Sequence, residues 1–365
     1  MKEKLTHICT PKQWKTIPTT ELLDKGYPVY GANGIIGYYS TYNHENSVIA
    51  ITCRGATCGT INITVPQSYV TGNSMCMDNV RSDILLEYLY YCLLHYNFDN
   101  VISGSAQPQI TRQGLEKVEI EICSTRQQEK IVSILSKVET IITVCKRQLE
   151  KLDDLIKARF VELFGEPGSD KFGWGLVALG TACIINPKKG QDKRLQENLD
   201  VSFVPMPAVS ESGKIDATAT KKYFDVKTGF TYFAENDVLF AKITPCMENG
   251  KGAVATGLCN GIGFGSTEFH VLRPISEKSN PYWIYTLSTF KQFRIDAANN
   301  MTGSAGQRRV PASFLENYRL SLPPIDLQDE FAAFVKQVNK SKAAIQKSLD
   351  EAQLLFDSLM QQYFG

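Results

Sequence analysis

The sequence predicts an α+β protein: two mixed α/β globular units with pseudo-two-fold symmetry, separated by two long antiparallel helices that form a coiled coil. Three observations predict it. First, the chain repeats itself at a constant offset of 200 residues: Leu115, Gln128, Leu149, Leu155 and Phe164-Gly165 answer to Leu315, Gln328, Leu349, Leu355 and Phe364-Gly365. An internal repeat sets the architecture and outranks other signals. Second, the repeated stretches, residues 124–165 and 325–365, carry apolar residues at heptad spacing. Third, each follows a region of short β-forming runs broken by glycine and proline.

The first unit spans residues 1–123. Tyr27-Pro28-Val29-Tyr30-Gly31-Ala32-Asn33-Gly34-Ile35-Ile36-Gly37-Tyr38-Tyr39 sets β-formers between glycines, which reads as short strands and tight turns. Residues 47–52 form a buried-strand run that ends in an Arg54-Gly55 turn, and residues 60–65 alternate as a further strand. Residues 84–96 have helical spacing with a Leu/Tyr face. A loop at 104–109 and a strand at 118–122 follow. Ser124 or Thr125, with Gln127 or Gln128, supplies a capping box for the first long helix.

That helix, residues 124–165, places Leu135, Ile142, Leu149, Ile156 and Leu163 seven apart. Ile131, Val138, Cys145 and Leu152 form the companion row, which Arg159 breaks. The second long helix, within residues 324–365, repeats this with Phe331, Val338, Ile345, Ala352 and Leu359. Its other row is Val335, Leu349, Phe356 and Tyr363, with Lys342 as a polar intruder. A sustained 3.5-residue spacing is the coiled-coil signature. Leu135, Ile142, Leu149 and Ile156 are expected to pack against Val338, Ile345, Leu349 and Phe356. Forty residues at about 1.5 Å each give a rod of about 60 Å. The alternative is two amphipathic helices packed on separate cores.

The second unit spans residues 166–323. Trp174-Gly175-Leu176-Val177 resembles Trp14-Lys15-Thr16-Ile17, and residues 237–242 take the place of 47–52. Residues 282–293 form the counterpart of the first unit's helix. Gly303-Ser304-Ala305-Gly306-Gln307 answers to Gly104-Ser105-Ala106-Gln107. Pro323-Pro324 ends a strand, and Asp326 can cap the second long helix. The helices match better than the units, which suits one scaffold carrying two recognition surfaces. Because each helix joins one unit to the next, paired helices must be antiparallel with one unit at each end.

A length of 365 residues allows two or three domains with real cores. A net charge of +1 singles out no partner, so a nucleic-acid binder of this charge must segregate its basic groups. No apolar run reaches membrane-span length, and the first residues lead into no signal-peptide core. The 10 cysteines form no Cys-x-x-Cys pair and the 4 histidines do not cluster with them. This predicts a reducing cytoplasm, no metal site and no disulfide framework.

No phosphate-binding Gly-x-x-x-x-Gly-Lys-Ser/Thr loop, amino-methyltransferase dipeptide or nuclease triad stands out. Gly261-Ile262-Gly263-Phe264-Gly265 lacks the context of a nucleotide loop, and Gly31, Gly34 and Gly37 read as turn chemistry. No catalytic residue and no cofactor follow. Polar candidates for reading nucleic acid lie in loops: Arg54, Gln107, Gln109 and Arg112 in unit one. In unit two they are Lys188, Lys189, Lys193, Arg194, Lys221, Lys222, Lys242, Arg308 and Arg309. Arg and Lys clamp phosphates or read guanine, and Gln reads adenine. For each one alone, the alternative is a solvated surface group.

These residues carry a resemblance. The Tyr27–Tyr38 run and Ile51-Thr52-Cys53-Arg54-Gly55-Ala56-Thr57-Cys58-Gly59 carry it in unit one. Phe203-Val204-Pro205-Met206, Gly229-Phe230-Thr231-Tyr232-Phe233, Asp237-Val238-Leu239-Phe240-Ala241-Lys242-Ile243-Thr244-Pro245-Cys246 and Gly263-Phe264-Gly265-Ser266-Thr267-Glu268-Phe269 carry it in unit two. Nearly the whole chain resembles the specificity subunit of a type I restriction–modification system. Unit one departs from the pattern, being shorter and lacking the Asp-Val-Leu-Phe-Ala-Lys form of the strand. The resemblance implies two target-recognition domains, each reading half of a split site in double-stranded DNA, with the helices as ruler and dock. It implies two modification subunits as partners, which bind S-adenosylmethionine and methylate adenine, and restriction/translocase subunits that complete a nuclease. It implies no catalysis by this chain. Two other readings stand beside it: a fused methyltransferase or nuclease, and a coiled-coil scaffold that binds only protein.

Overall fold

A computed structural model of the protein describes residues 1–104, 107–304 and 306–365. Ser105, Ala106 and Ala305, from the two matched Gly-Ser-Ala loops, lie outside the described residues. The chain forms two compact units. Unit one is Met1–Lys146 with Lys347–Gly365, and unit two is Arg147–Gln346.

Unit one opens with β1 (Lys2–Lys4), α1 (Leu5–Ile8) and β2 (Thr10–Gln13). A hairpin of β3 (Tyr27–Gly31) and β4 (Gly34–Tyr39) follows, then β5 (Ile49–Thr52), β6 (Ile61–Ile63), β7 (Tyr69–Val70) and β8 (Ser74–Asp78). Next come α2 (Leu86–His95), β9 (Ile102–Ser103), β10 (Gln109–Ile110), α3 (Arg112–Leu115) and β11 (Glu119–Glu121). The strands pair as β2-β8-β5-β6, β4-β3-β7, β10-β9 and β1-β11. Strand side chains alternate faces. Ile49, Ile51, Met75 and Met77 therefore join Tyr88, Leu89 and Leu93 of α2 in one core, while Ala50 and Cys76 join Tyr30 and Val70 in a second.

Unit two repeats the plan. It runs through β12 (Leu176–Ala178), β13 (Cys183–Ile185), β14 (Asp200–Val204), β15 (Thr220–Lys222), α5 (Tyr223–Val226), β16 (Thr231–Ala234) and β17 (Val238–Ala241). It continues with β18 (Gly252–Val254), β19 (Ile262–Gly265), β20 (Phe269–Pro274), α6 (Pro281–Thr289), α7 (Lys291–Asn299), α8 (Ala312–Asn317) and β21 (Arg319–Ser321). The orders β13-β20-β17-β18, β15-β14-β19-β16 and β12-β21 follow those of unit one, with β16 added and the β10-β9 pair reduced to a bridge between Thr302 and Arg309. Both units contain a parallel pair, β3 with β7 and β14 with β19. The register agrees residue by residue: Thr10 faces Asp78 as Ile184 faces Arg273. Cys9 and Cys183 each donate the thiol to the carbonyl four residues earlier.

This register corrects one expectation. The Trp174 segment does not correspond to the Trp14 segment: β12 pairs with β21 as β1 pairs with β11. Two tryptophans with similar neighbours had suggested otherwise, but strand pairing aligns Leu176 with Lys2. A second correction concerns residues 282–293, which form two helices rather than one. The chain is extended at Phe290. Ser288 and Thr289 turn their hydroxyls back onto the carbonyls three residues earlier, a local competition that weakens helices. Arg294 takes the Ser288 carbonyl at 2.6 Å.

The two long helices, α4 (Thr125–Phe164) and α9 (Ile325–Phe364), contribute to both units. In unit one, Leu135 joins the α2 core together with Met360, and Val138 and Ile142 cluster with Ala352, Leu349 and Phe356. In unit two, the Phe160 ring meets Phe331 at 5.6 Å, and Ile156 joins Val335 and Val338. Within each unit, rising numbers on α4 meet falling numbers on α9, so the stretches run antiparallel. Each stretch also buries on its own unit's sheet-and-helix core, so the two packing readings coexist. Leu149 and Ile345 are half-buried and lie outside these clusters. The polar intruder Lys342 is matched by Asp153 at 2.6 Å, and Arg159 by Glu330 at 2.8 Å.

The helix starts differ from expectation. Ser124 offers its carbonyl to Gln127 and Gln128, but the Gln128 side chain does not turn back to close a capping box. It is fully buried, accepts from Leu85 N at 2.9 Å, and donates to the carbonyls of Asp83 and Cys123. Gln328 repeats this with Asn280 N, Lys278 O and Pro323 O. Each glutamine thereby clamps its long helix to the chain entering the shorter helix of its unit. Asp326 lies in the first turn of α9 rather than at its cap, where a carboxylate still favours the helix dipole. Among the described residues, no helix is long and apolar enough to cross a membrane.

Candidate nucleic-acid interface

In unit one, β5 ends in a buried anchor. Cys53 donates its amide to Asn73 O and accepts from Ile110 N. The next residue, Arg54, is exposed and forms a backbone bridge with Gln109. Gly55 donates to Pro108 O and adopts a φ of +86°, a conformation that suits glycine. Gln107 is exposed, and Arg112 opens α3 behind the Thr111 cap. The backbone thus gathers the four unit-one candidates into one loop cluster at the end of a central strand.

Unit two is built the same way. Past β17, Ile243 bridges Arg309 as Arg54 bridges Gln109. Thr244 donates to Arg308 O, and Val310 to Lys242 O. The buried His270 braces this loop: Nε2 donates to Val310 O at 2.8 Å, leaving Nδ1 to accept from Asn186. Burial holds its pKa below the ordinary histidine value. The two sequence-predicted arginines then part. Arg309 forks onto Glu268 with bonds of 2.9 and 2.8 Å, and this pairing holds the Glu268 carboxyl below its usual range. Arg308 turns to the last turn of α7, donating to Ala298 O at 2.8 Å. There a cation complements the helix C-terminus, so its guanidinium is engaged within the fold.

Lys189 and Lys242 line one cleft of about 470 Å³ with Lys227, Phe230 and Tyr232. The Lys189 ammonium donates to Lys227 O. Lys221 stands over the Phe203 ring at 3.9 Å and reaches Phe230 at 5.8 Å, a cation–π arrangement at the cleft edge. Arg194 pairs with Asp192, which also accepts from Tyr232 at 2.8 Å. Arg194 is the main reason the Asp192 carboxyl is held well below the usual carboxylate range. Lys222 pairs with a half-exposed Asp200 at 2.9 Å. Lys188 and Lys193 are exposed on the flanking loop. Lysines gathered along one cleft and its edge suit a polyanion such as a nucleic-acid backbone.

Sequence reasoning missed Lys227, the aromatic walls Phe230 and Tyr232, and Glu268. A cation just before the turn glycine of Lys227-Thr228-Gly229-Phe230 was the available signal for the first two. The Glu268 partnership spans 41 residues and left none.

The fold is that of known proteins. The chain superposes over its whole length on 96% of the crystal structure of a type I restriction–modification system S subunit from M. genitalium, with a TM-score of 0.62 at 13% identity. The family model described as type I restriction modification DNA specificity domain matches residues 1–154 and 173–353. The chain belongs to this family. It is 41% identical over 197 residues to the type I restriction enzyme EcoAI specificity subunit of Escherichia coli, covering 52% of this chain and 32% of that protein. It is 40% identical over 192 residues to the EcoEI specificity subunit of the same species, covering 52% of this chain and 29% of that protein. The match thus spans about a third of the length of these curated relatives.

Proposed function

We propose that this chain is the non-catalytic DNA-recognition subunit of a type I restriction–modification complex in the cytoplasm. Each unit reads one half of a split site in double-stranded DNA through the loop cluster at the end of β5 or β17. The helices α4 and α9 set the distance between the readers and dock two modification subunits. Those partners bind S-adenosylmethionine and methylate one adenine per half-site; restriction/translocase subunits add cleavage. The division of the chain into recognition domains at 1–123 and 166–323 and spacer helices at 124–165 and 324–365 belongs to this reading. The observation that carries it is the duplicated loop: Arg54 on Gln109 and Ile243 on Arg309 occupy one place in two copies of one fold. Both copies fall within the family match.

The test is to co-express the chain with its modification subunit and map methylated adenines across a plasmid library. The expected result is one bipartite motif with a fixed gap. An exchange of residues 1–123 for those of a relative is expected to change one half of the motif only. Methylation with no bipartite motif, or a motif unaffected by the exchange, refutes the proposal.

A further inference from the structure

Unit one holds a group of side chains that DNA reading does not use. His44, between β4 and β5, lies beside Cys76 and Asp78 of β8. Residues two apart on a strand share a face, so Cys76 and Asp78 point together toward His44, away from the Met75 and Met77 side. One ligand atom from each of the three lies within 4.8 Å of the other two. The His44 and Asp78 side chains are only 10% and 12% exposed.

The hydrogen bonds around the group are the informative part. The Asn43 amide is fixed in orientation, because its Oδ1 accepts from Val70 N at 2.9 Å and its Nδ2 donates to Val70 O at 3.0 Å. That same Oδ1 lies 2.7 Å from His44 Nδ1, while His44 Nε2 lies 3.1 Å from Asp78 Oδ1. Both ring nitrogens thus face oxygen acceptors. A neutral imidazole has one N–H and cannot serve both. With Nδ1–H on Asn43, Nε2 faces the Asp78 carboxylate, a contact that either a proton or a metal ion between them completes. Trp14 Nε1 donates to the other Asp78 oxygen at 3.1 Å. Lys12 does not supply the cation at this point, since its ammonium stands 3.6 Å above the Trp14 ring.

The geometry points to a zinc-class divalent metal site with His44 Nε2, Cys76 Sγ and Asp78 Oδ1 as ligands and one open position. The donor set of one nitrogen, one sulfur and one oxygen fits a borderline-soft cation. Metal-bound histidines usually donate their other N–H to an oxygen, and ligating carboxylates are themselves hydrogen-bonded. Asn43 and Trp14 fill those two supporting roles. Zinc bonds of about 2.0–2.3 Å at tetrahedral angles place ligand atoms about 3.5 Å apart, so ligand atoms within 4.8 Å of one another need adjustments of about 1 Å to share one ion. Binding displaces the thiol proton to solvent and leaves a thiolate on the metal. The metal ties the β4–β5 connection to β8, the strand that supports β5 and hence Arg54. Unit two fills this place differently. Its equivalents of Cys76 and Asp78 are Val271 and Arg273, and Arg273 forks onto buried Asp237 with bonds of 2.8 and 2.7 Å.

The test uses the full chain, stripped of metal with a chelator and titrated with zinc or cobalt(II). Retained metal is measured after dialysis, and the thiolate-to-cobalt band is followed in the near ultraviolet. The expected result is one equivalent per chain with a thiolate band. In Cys76→Val, the residue unit two carries at this position, the band should be lost and affinity should fall by about 100-fold or more. Asp78→Asn should weaken binding while circular dichroism reports an intact fold. Wild-type protein that retains no metal overturns the inference and leaves the His44–Asp78 contact as a plain hydrogen bond. Retention unchanged by both substitutions also overturns it, by locating the metal at other thiols.

Discussion

Removal of the buried glutamine clamps should weaken one unit at a time. In Gln128→Ala, Leu85 N loses its acceptor, and the carbonyls of Asp83 and Cys123 lose a donor. Three hydrogen bonds at about 1 kcal/mol each give a loss of about 3 kcal/mol. Relief from immobilising a glutamine returns about 1.5–2 kcal/mol. The stranded donor costs about 1–3 kcal/mol more, because Gln128 is fully buried and water does not take its place. The net expectation is about 2–4 kcal/mol, or a fall in melting temperature of about 5–15 °C at about 2–4 °C per kcal/mol. Gln128→Glu should be at least as harmful at neutral pH, since it presents a carboxylate to two carbonyl oxygens. Its folded-state pKa is then raised above the unfolded value, so the penalty shrinks as pH falls. Urea denaturation followed by hydrogen exchange at the start of α2 reads the effect, with Gln328→Ala as the mirror experiment at Asn280. A loss below about 0.5 kcal/mol, or a loss appearing in unit two for Gln128→Ala, would refute the clamp.

Three further outcomes are expected. Arg309→Ala and Lys242→Ala should each weaken DNA binding and reduce the slope of log affinity against log salt by about one, if each meets one phosphate; an unchanged slope removes that residue from the interface. Burial lowers the His270 pKa, so the unfolded chain binds its proton first: unit-two stability should be level above about pH 7 and decline as pH falls below the ordinary value of 6.5. His270→Gln should flatten that decline in a pH series of urea midpoints. Leu135→Ala removes a fully buried side chain shared with Met360 and α2. It should cost about 2–5 kcal/mol, and a calorimetric scan with unit one unchanged would contradict the packing described.

The long helices were legible because a 3.5-residue apolar rhythm survives any loop arrangement, and their bounds differ from expectation by one residue at most at each end. The strand at residues 237–242 was legible for the same reason, being a run of buried apolar side chains. The break at Phe290 was not, because it rests on Arg294 reaching the Ser288 carbonyl, a contact made only in the folded chain. The match of Gln128 to Gln328 was visible, but its meaning was not: a buried amide with three backbone partners leaves the same mark as a surface cap. Basic loop residues were found by type alone. The fate of Arg308 against that of Arg309 depends on which of two neighbours faces a helix end and which faces Glu268. The His44, Cys76 and Asp78 group escaped because its members follow no ligand spacing along the chain; the β4–β5 connection brings them together.

The composition of the units has a consequence for synthesis on the ribosome. Unit two is one unbroken stretch, Arg147–Gln346, whereas unit one needs Lys347–Gly365 to complete it. Emergence in order means that the first unit begun is the last finished. At about 5–20 residues per second, the intervening 200 or so residues hold the α2 core open for about 10–40 s. During that interval the surface that Met360 and Phe364 will cover faces solvent, including Tyr88 and His95, whose rings later meet Phe364. A nascent chain therefore offers a transient apolar face to chaperones, and a ribosome that stalls late releases a protein with one finished head and one unfinished.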